Sequence, residues 1–342
     1  RDPSHRVGGA DFGHIELAHQ RELKEQVLSD SLVRQGRIAA GDLPEIEVAA
    51  LPGDDERGGL GWRTRLRLHV DPATGAVGPY AARSHTVVPV RDLPLAVPEL
   101  AAIAPLREFM SDVTSVDLVA PSADDPRMLL TYQGEKQPVG AEDIVFENVF
   151  GAEVQVRAGG FWQVHTGAAE QLYAEVAGAV DSLQDRLDPA ATNLDLYGGV
   201  GLLAAAFLDA AGERARITSV ESVESATDLA AENLAEFSGA QALTARVEDY
   251  LRDLQTASAP VRERVARGTV VLDPPRNGAG GEVCSSLIEL RPANIIYVAC
   301  DPVAFARDTA TLQAGGYQLG ELHALDMFPH THHFESIAIF TR

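Results

Sequence analysis

The sequence predicts an α/β protein with a doubly wound, mostly parallel sheet, an antiparallel last strand and an additional N-terminal α+β domain. After residue 150, strand-like segments alternate with helical segments of ten or more residues, which is typical of a parallel sheet. The last two strand-like segments lie too close together for a crossover helix, which predicts an antiparallel pair. Before residue 150, short β-rich runs are broken by Pro and Gly. We therefore predict two domains, at 1–150 and 151–342.

The predicted N-terminal domain opens with a helix and continues with an antiparallel sheet. Apolar residues recur at helical spacing over 15–36, which gives this helix an apolar face available for packing on the second domain. In order, the strand-like runs that follow are EIEVAAL, WRTRLRLHV, HTVVPV, VDLVA, RMLLTY and IVFENVF. In the second run, alternation places Arg63, Arg65 and Arg67 on one strand face, which is either simply solvated or a patch that contacts RNA phosphates.

The predicted C-terminal domain is a regular series of strands and helices. The predicted order is helix 166–181, strand NLDLY, helix 200–211, strand RITSVE, helix 223–237, strands QALTARV and TVVLD, helix 281–290, strand NIIYVA and helix 302–314. Two strand-like runs, YQLGELHALDMF and HFESIAIFTR, end the chain on either side of a short loop that contains Pro329. This order predicts a parallel sheet that closes with one antiparallel strand.

Composition argues against several classes of protein. The formal net charge of −22 is wrong for a general polyanion binder, so any RNA site must be a local patch. No apolar run approaches the roughly 18 to 20 residues that span a bilayer, and the charged N-terminal stretch is unlike a signal peptide. We therefore expect a cytoplasmic protein without membrane contact. Two cysteines are too few for a disulfide framework or a four-thiolate cluster. Because the chain begins at Arg1 rather than Met, we expect that a preceding portion has been removed.

A glycine-rich segment predicts a nucleotide-containing ligand. DLYGGVGLLAAAF places Gly199 and Gly201 between a strand and a helix, where a ligand can approach the backbone closely. Glu221 ends the next strand, where a carboxylate accepts hydrogen bonds from ribose hydroxyls. The same glycines satisfy the dinucleotide fingerprint, so this segment alone fits either a nicotinamide cofactor or S-adenosylmethionine. The antiparallel end of the fold favours S-adenosylmethionine, since this topology resembles that of class I methyltransferases.

Three chemically active side chains fall near the ends of the later strands. Asp273 follows TVVL in a D-P-P-R segment, Cys300 follows NIIYVA, and Glu335 lies 35 residues beyond Cys300 in the last strand-like run. The carboxyl ends of parallel strands share one rim, where open α/β sheets bind ligands. A thiolate and a base are what methylation of uracil at carbon 5 requires. The thiolate adds to carbon 6, and the base later removes the carbon 5 proton.

These segments follow the motifs of a known family. FWQVH, DLYGGVG, VLDPPRNGAGG, YVACDPVAFARDTATL and LDMFPHTHHFES resemble, in order and spacing, those of the S-adenosylmethionine-dependent RNA uracil-5-methyltransferases that act on tRNA and 23S rRNA. The resemblance covers most of the chain and implies Cys300 as the nucleophile and Glu335 as the base. It also implies residues that contact S-adenosylmethionine: Gln163, Tyr197, Gly199, Gly201, Glu221, Asp249 and Asp273. Gln163 and Asp273 are in addition expected at the target uracil.

The sequence departs from the family in its N-terminal region. Many relatives hold a [4Fe–4S] cluster there, but Val7 and Ala10 stand where the family has cysteines, and the other two positions fall near Arg1 and Leu93. Because iron–sulfur clusters are held by cysteine thiolates, we expect no cluster in this protein. Relatives often carry a basic OB-like RNA-binding domain before this point as well. Truncation would explain why it is missing from this sequence.

Two other functions are compatible with parts of the pattern. The glycine fingerprint alone fits an NAD-dependent oxidoreductase, and the acidic composition fits a non-catalytic RNA-binding protein with a methyltransferase fold. His330, His332 and His333 are clustered, but they come without a matching cysteine or carboxylate set, so we predict loop packing or RNA contact rather than a metal site. Cys284 is predicted to be a core residue. We expect a monomer whose partner is tRNA or 23S rRNA.

Overall fold

The computed structural model describes residues 7–342, and the chain divides into two compact units. The small unit comprises the N-terminal residues through Gln20, Leu51–Ala169 and Phe328–His332. The large unit comprises Arg21–Ala50, Glu170–Met327 and His333–Arg342. This division differs from a single boundary at 150, because the chain passes between the units several times.

The helices and strands are as follows. The helices are α1 Leu17–Arg34, α2 Pro98–Ile103, α3 Ala168–Ser182, α4 Leu202–Ala211, α5 Glu224–Asn233, α6 Val247–Thr256, α7 Ala259–Ala266, α8 Gly280–Leu290 and α9 Pro302–Ala314. The strands are β1 Val48–Ala50, β2 Arg65–Val70, β3 Val77–Gly78, β4 Val113–Val119, β5 Arg127–Tyr132, β6 Ile144–Val149, β7 Ala152–Arg157, β8 Asn193–Leu196, β9 Ile217–Glu221, β10 Ala240–Thr244, β11 Thr269–Leu272, β12 Asn294–Ala299, β13 Gln318–Asp326 and β14 Glu335–Thr341.

The large unit is built on an eight-stranded sheet in the order β1-β13-β14-β12-β11-β8-β9-β10. Strands β8 to β12 pair in parallel, whereas β14 runs antiparallel to both β12 and β13. The predicted doubly wound sheet with an antiparallel last strand is therefore confirmed. Strands β8, β11 and β12 are buried along their whole length, as expected for central strands covered on both faces.

Strand β1 corrects the prediction that every β-rich run before residue 150 belongs to an N-terminal sheet. It pairs in parallel with β13 at the edge of the large sheet, with Val48 opposite Ala324. A side chain of α1 supports this edge, since Glu25 Oε1 accepts a hydrogen bond at 3.0 Å from the backbone N–H of Val48. One three-residue strand gives no sequence signal about which sheet it joins.

A buried ion pair anchors α1 in the large unit through Lys24. Lys24 Nζ lies 2.5 Å from Asp326 Oδ1, and both side chains are almost fully buried. Burial lowers the pKa of Lys24, and the carboxylate of Asp326 opposes this shift. Asp326 is the last residue of β13, so this pair ties the helix to the strand that leads into the segment before Glu335. Removing either partner would leave the other as an uncompensated buried charge.

The small unit contains a four-stranded antiparallel sheet, in the order β3-β2-β4-β5, and the separate hairpin β6–β7. The run HTVVPV does not form the predicted strand, because Val87 makes only an isolated bridge to Tyr80. The apolar core of this unit is centred on β2 and β4, with Leu68, Val116 and Leu118 fully buried.

In the described part of the chain, no helix has the length and apolar character needed to cross a membrane.

Candidate active site

The large sheet brings Asp273, Cys300 and Glu335 together at the carboxyl ends of its parallel strands, which we call the ligand edge. Asp273 follows β11 and Cys300 follows β12, and these strands are parallel neighbours with Leu272 opposite Tyr297. Strand β14 runs antiparallel to β12, so its first residue, Glu335, lies beside the end at which Cys300 emerges. Three of the four residues that the sequence predicted as catalytic or uracil-binding therefore lie at the ends of three adjacent strands, and the fourth, Gln163, lies in the small unit.

The turn after Cys300 has a defined local cause. Asp301 caps α9, since its Oδ1 accepts hydrogen bonds from the backbone N–H groups of Val303 at 3.0 Å and Ala304 at 2.8 Å. Pro302 then occupies the first helical position, where its missing N–H costs no hydrogen bond. Cys300 is thus held between a fully buried strand and a capped helix, and its thiol is only partly buried.

The electrostatics of this edge favour protonated groups. Burial, and then the charges of Glu335 and Asp273, raise the pKa of the Cys300 thiol to about 12. Burial, and then the charge of Asp195, raise the pKa of Asp273 to about 7. Burial, and then the charge of Asp273, raise the pKa of Glu335 well above its ordinary value, while Arg276 opposes the shifts of both Glu335 and Cys300. Two acids and a thiol are clustered beside one cation.

Glu335 has the properties of a proton acceptor. Its side chain is only 7% exposed, and its Oε2 has no hydrogen-bond partner among residues 7–342. Buried carboxylate oxygens normally find a partner, so this oxygen is available to a group from outside the described chain. A carboxylate with a raised pKa is also a stronger base than an ordinary one.

The glycine loop lies at the ends of β8 and β9 and is shaped for close approach. Gly201 has a φ of 94° at the start of α4, a backbone conformation that favours glycine. A Cβ atom at Gly198 would lie 1.9 Å from Ser219 Oγ, so no larger residue fits there. Tyr197, directly before the glycines, has a φ of 65° despite its side chain, which is a strained conformation of the kind found at ligand sites.

Acidic groups surround this loop. Glu221 Oε2 accepts a hydrogen bond at 3.3 Å from the N–H of Gly199, so this carboxylate lies against the loop, and its contact with a ribose stays a prediction. Asp195 is fully buried below the loop, where Ser219 Oγ donates to its Oδ2 at 2.8 Å and its Oδ1 has no partner within the described chain. Burial raises the pKa of Asp195 to about 7. A ligand with hydroxyl and amino donors fits these residues.

Asp249, a predicted cofactor contact, lies at the surface of α6. Its side chain is 58% exposed and pairs with Arg252 at 2.8 Å. The preceding residue, Glu248, lies close enough to Tyr197 that its charge, after burial, is the next cause of the raised pKa of that phenol. The two acids are adjacent in sequence, and only the helical phase of α6 distinguishes them. The assignment of Asp249 to the cofactor stays a prediction, and Glu248 is the alternative that the structure provides.

Gln163 belongs to the small unit. Of the other predicted site residues, only the three arginines Arg63, Arg65 and Arg67 lie there as well. It is half-buried in a segment held by its neighbours. The backbone N–H of Thr64 donates to the carbonyl oxygen of Val164 at 2.7 Å, and the ring of His165 stacks on Trp62 at 5.5 Å. His165 Nε2 lies 3.0 Å from Asp54 Oδ2, and both side chains are buried. The position of Gln163 is therefore well defined within its unit.

The three arginines of the predicted RNA patch are engaged within the small unit. Arg65 is almost buried and pairs with Glu147 at 3.3 Å, while its Nη1 donates to the carbonyl oxygens of two backbone groups. Arg67 Nη2 donates to Asp117 Oδ2 at 2.8 Å. Arg63 lies over the ring of Trp62 and precedes β2 rather than belonging to it. Their assignment to RNA stays a prediction, and the internal bonds reduce the charge that they offer.

The residues considered as metal or cluster ligands have other roles in the structure. No group of three or more His, Cys, Asp or Glu side chains within 7–342 is arranged to hold a metal ion. Of the positions where relatives have cluster cysteines, Val7 forms a β-bridge with Ala81 and Leu93 packs against the small core, whereas Arg1 lies outside the described residues. His330 donates its backbone N–H to Gln20 Oε1 at 2.7 Å, a loop-packing contact.

Comparisons with known proteins show the family of this chain. A family model described as tRNA (Uracil-5-)-methyltransferase matches residues 191–342. An uncharacterized RNA methyltransferase of Bifidobacterium longum is 34% identical over 98% of this chain and 78% of its own length. The chain belongs to the RNA uracil-5-methyltransferase family. Another relative, the 23S rRNA (uracil(1939)-C(5))-methyltransferase RlmD of Pseudomonas fluorescens, is 30% identical over 98% of this chain and 76% of its own length.

The fold of this RNA uracil-5-methyltransferase also matches a solved structure. The tRNA (uracil-54, C5)-methyltransferase of Pyrococcus abyssi, in complex with S-adenosyl-L-homocysteine, superposes with a TM-score of 0.71 over 98% of this chain and 86% of that chain. The two sequences are 19% identical, so this likeness concerns the fold alone. Family membership confirms that the protein is an S-adenosylmethionine-dependent enzyme that methylates carbon 5 of uracil in RNA. The nicotinamide and non-catalytic alternatives are thereby excluded.

A buried network that the sequence did not predict positions the methyltransferase loop after Asp273. The carboxylate of Asp308 in α9 accepts hydrogen bonds from the Tyr297 hydroxyl at 2.8 Å and from the N–H of Gly280 at 3.2 Å. Gly278 has a φ of 77°, and a Cβ there would lie 2.4 Å from Asp308 Oδ2. The only sequence signal was the glycine run of the D-P-P-R-N-G-A-G-G segment, which showed a constrained loop but not its buried partner.

The raised pKa of Cys300 gives a direct test on the RNA-free methyltransferase. Because the thiol titrates at about 12, we expect alkylation of Cys300 by iodoacetamide to rise about tenfold per pH unit between about pH 7 and 10 without levelling off. An ordinary thiol, with a pKa of about 8.5, would level off above that value. The rate is measured by mass spectrometry in a Cys284→Ala background, with a short cysteine peptide as control. A rate for Cys300 that levels off before about pH 10, as that of the control peptide does, would contradict the raised pKa.

Proposed function

We propose that this enzyme methylates one specific uridine of tRNA or 23S rRNA through a covalent bond between the Cys300 sulfur and carbon 6 of the uracil. The observation that carries the proposal is the convergence of Cys300, Asp273 and Glu335 at one edge of the sheet, with a buried Glu335 oxygen left without a partner. The named activities of the relatives in Pseudomonas fluorescens and Pyrococcus abyssi support 23S rRNA and tRNA, respectively, as the candidate substrates.

The residues around the glycine loop fit S-adenosylmethionine. Gly199 and Gly201 would let the ligand approach the backbone, Glu221 would accept hydrogen bonds from the ribose hydroxyls, and the half-buried Tyr197 would border the site. When bound, S-adenosylmethionine supplies an electrophilic methyl group. Gln163 is a further contact that the family motif implies.

Cys300 makes carbon 5 of the uracil reactive. Formation of the sulfur–carbon 6 bond moves the ring electrons toward carbon 5 and oxygen 4, so that carbon 5 becomes an enolate-like nucleophile. Since the resting thiol is protonated, its proton must pass to a base as this bond forms. The Asp273 carboxylate, whose charge acts on the thiol, would take that proton, so that Glu335 stays unprotonated for the later step. A thiol that stays protonated until uracil enters is also protected from alkylation and oxidation.

Asp273 would orient the uracil edge. With its pKa near 7, its carboxylate form can accept from the uracil N3–H, and its acid form can donate to oxygen 4, where negative charge develops. Glu335 would then take the carbon 5 proton, and the electrons of the broken C–H bond would restore the ring double bond and expel the Cys300 sulfur. Each group thus acts at a different stage of the reaction.

The target uridine must leave its base stack to reach this edge. Neither carbon 5 nor carbon 6 is accessible to two opposed protein groups inside a stack, so the nucleotide would be flipped out of a single-stranded loop.

The proposed enzyme works in the cytoplasm as a monomer. It works without an iron–sulfur cluster, because cluster thiolates are missing from the sequence.

Nucleoside analysis tests the proposal and selects the substrate. Purified enzyme and methyl-labelled S-adenosylmethionine are incubated with unmodified transcripts of tRNA and of 23S rRNA, and the digested RNA is analysed by mass spectrometry. We expect labelled 5-methyluridine at one position of one RNA, and the same nucleoside should be missing from that RNA in a deletion strain. Label on another base, or on carbon 5 of uridines at random, would overturn the proposal.

A further inference from the structure

One surface of the small unit combines aromatic rings with unpaired positive charge. The ring of Tyr80 stacks on His69 with centroids 3.5 Å apart and planes at 4°, and His85 meets Tyr80 edge-on at 5.3 Å. His69 lies in β2, whereas Tyr80 and His85 flank an exposed turn. We call the residues His69 and 80–87 the aromatic turn.

The aromatic turn is locally basic in an acidic protein. Residues 72–91 contain Arg83, His85 and Arg91 but no Asp or Glu, although the chain as a whole has a net charge of −22. Arg83 and His85 are both exposed. The carboxylate whose charge acts on the imidazole of His69 is that of Asp117, and this carboxylate is already paired with Arg67. The turn therefore offers its charge to a ligand without competition from its own carboxylates.

Arg83 occupies its position at a conformational cost. Its φ is 57°, a left-handed conformation that is unfavourable for a residue other than glycine. Hydrogen bonds fix this geometry, because the N–H of Ala81 donates to the carbonyl of Thr86 at 2.8 Å and the N–H of Ser84 donates to the carbonyl of Ala81 at 3.0 Å. Over the residues described, the guanidinium of Arg83 makes no ion pair or hydrogen bond that would repay the cost. Its side chain is thus presented to solvent on a closed, rigid turn.

We propose that the aromatic turn is an RNA-contact surface of the small unit, in which Arg83 binds a phosphate and the imidazole of His85, backed by Tyr80, contacts an unstacked base. A guanidinium suits phosphate, and imidazole and phenol rings provide faces on which bases stack. The surface replaces the strand-face arginines as the main RNA candidate, since Arg65 and Arg67 are tied to Glu147 and Asp117. The inference rests on the proposed function, because it assumes a structured RNA substrate.

The chemistry of the turn favours RNA over a protein partner. A protein docking surface needs a sizeable apolar centre, whereas the exposed residues between Ala81 and Val87 are small, polar or cationic. In a chain of strong negative charge, a polyanion gains contacts only where carboxylates are missing, and this segment meets that condition.

Three variants test the surface. Arg83→Gly removes the guanidinium and relieves the left-handed strain, so the melting temperature should stay the same or rise. Arg83→Glu reverses the charge, and His85→Ala removes the exposed imidazole. For the transcript that the wild type methylates, we expect KM to rise about tenfold or more for Arg83→Glu and several-fold for the other two, with kcat changed less than about twofold. The salt slope of RNA binding should fall by about one for Arg83→Gly.

Arg34→Glu is the matched control, since Arg34 is 73% exposed in α1 of the large unit. It makes the same change of charge, and its KM should stay close to that of the wild type. If the wild type methylates RNA and the three variants keep its KM and salt slope, the RNA surface is wrong while the proposed function stands. If Arg34→Glu weakens binding as much as Arg83→Glu, general repulsion explains the effect and the inference is overturned. If no RNA is methylated by the wild type, the proposed function fails, and direct binding of the labelled tRNA and rRNA transcripts still tests the surface.

Discussion

The Cys300→Ala variant should form no covalent complex with RNA that contains 5-fluorouridine, and its methyl transfer should fall by roughly 10⁴-fold or more. Fluorine cannot leave carbon 5 as a proton does, so the wild type is trapped after methyl transfer with its sulfur still bonded to carbon 6. Without that sulfur, carbon 5 is too weak a nucleophile to take the methyl group. The complex is detected by a mobility shift in a denaturing gel and by intact-protein mass spectrometry.

Cys284→Ala is the matched control for this experiment. Cys284 is fully buried in α8, where burial raises its pKa to about 12, and it packs in the large core rather than at the ligand edge. This variant should form the covalent complex as the wild type does, although removal of a buried group will lower its stability. A wild type that gives no complex on a verified substrate, or a Cys300→Ala variant that still gives one, would contradict the role of Cys300.

The sequence was sufficient to predict this edge because it follows from topology. Asp273 and Cys300 each come directly after an apolar, β-branched run, and the carboxyl ends of parallel strands must meet. Glu335 could be added because the last two strands lie too close together for a helix, so its strand had to return antiparallel. The placement of these residues uses periodicity and connection length, which are local properties of the sequence, whereas their roles come from the resemblance to the family.

Features that depend on pairing across the fold could not be predicted in this way. Alternation correctly put Arg65 and Arg67 on one strand face, but their partners Glu147 and Asp117 come from other strands. Strand β1 was predicted for the wrong sheet, because three residues contain no information about their partner strand.

The helices between β10 and β11 were also missed. Helix α7 begins at Ala259 after a break at Ala257, and its short, mostly polar sequence gave little signal, whereas α6 does carry a helical pattern in Val247, Leu251 and Leu254 that the sequence analysis overlooked. In the same segment, sequence order could not decide between Asp249 and Glu248, since one residue along a helix turns the side chain by about 100°. Such choices depend on helical phase against a partner, and the partner is visible only in the structure.

The Glu335→Gln variant should transfer a methyl group once and then remain bonded to ordinary RNA. The amide cannot take the carbon 5 proton, so the ring double bond cannot re-form and the Cys300 sulfur cannot leave. We expect turnover to fall by about 10²- to 10⁴-fold, while a covalent complex accumulates without any fluorine in the substrate. Rapid-quench measurement of methyl transfer, together with a denaturing gel, separates the first transfer from release.

The environment of Glu335 makes this variant informative rather than merely disruptive. Its carboxyl is buried and its pKa is well above the ordinary value, so a neutral amide of the same shape is compatible with the site. Binding of S-adenosyl-L-homocysteine by calorimetry should be unchanged, which verifies that the large unit is intact. Glu321→Gln, on an exposed position of β13, is the control and should turn over normally. If Glu335→Gln released methylated RNA at the wild-type rate, the base would have to be sought elsewhere at this edge, with Asp273 as the next carboxylate to test.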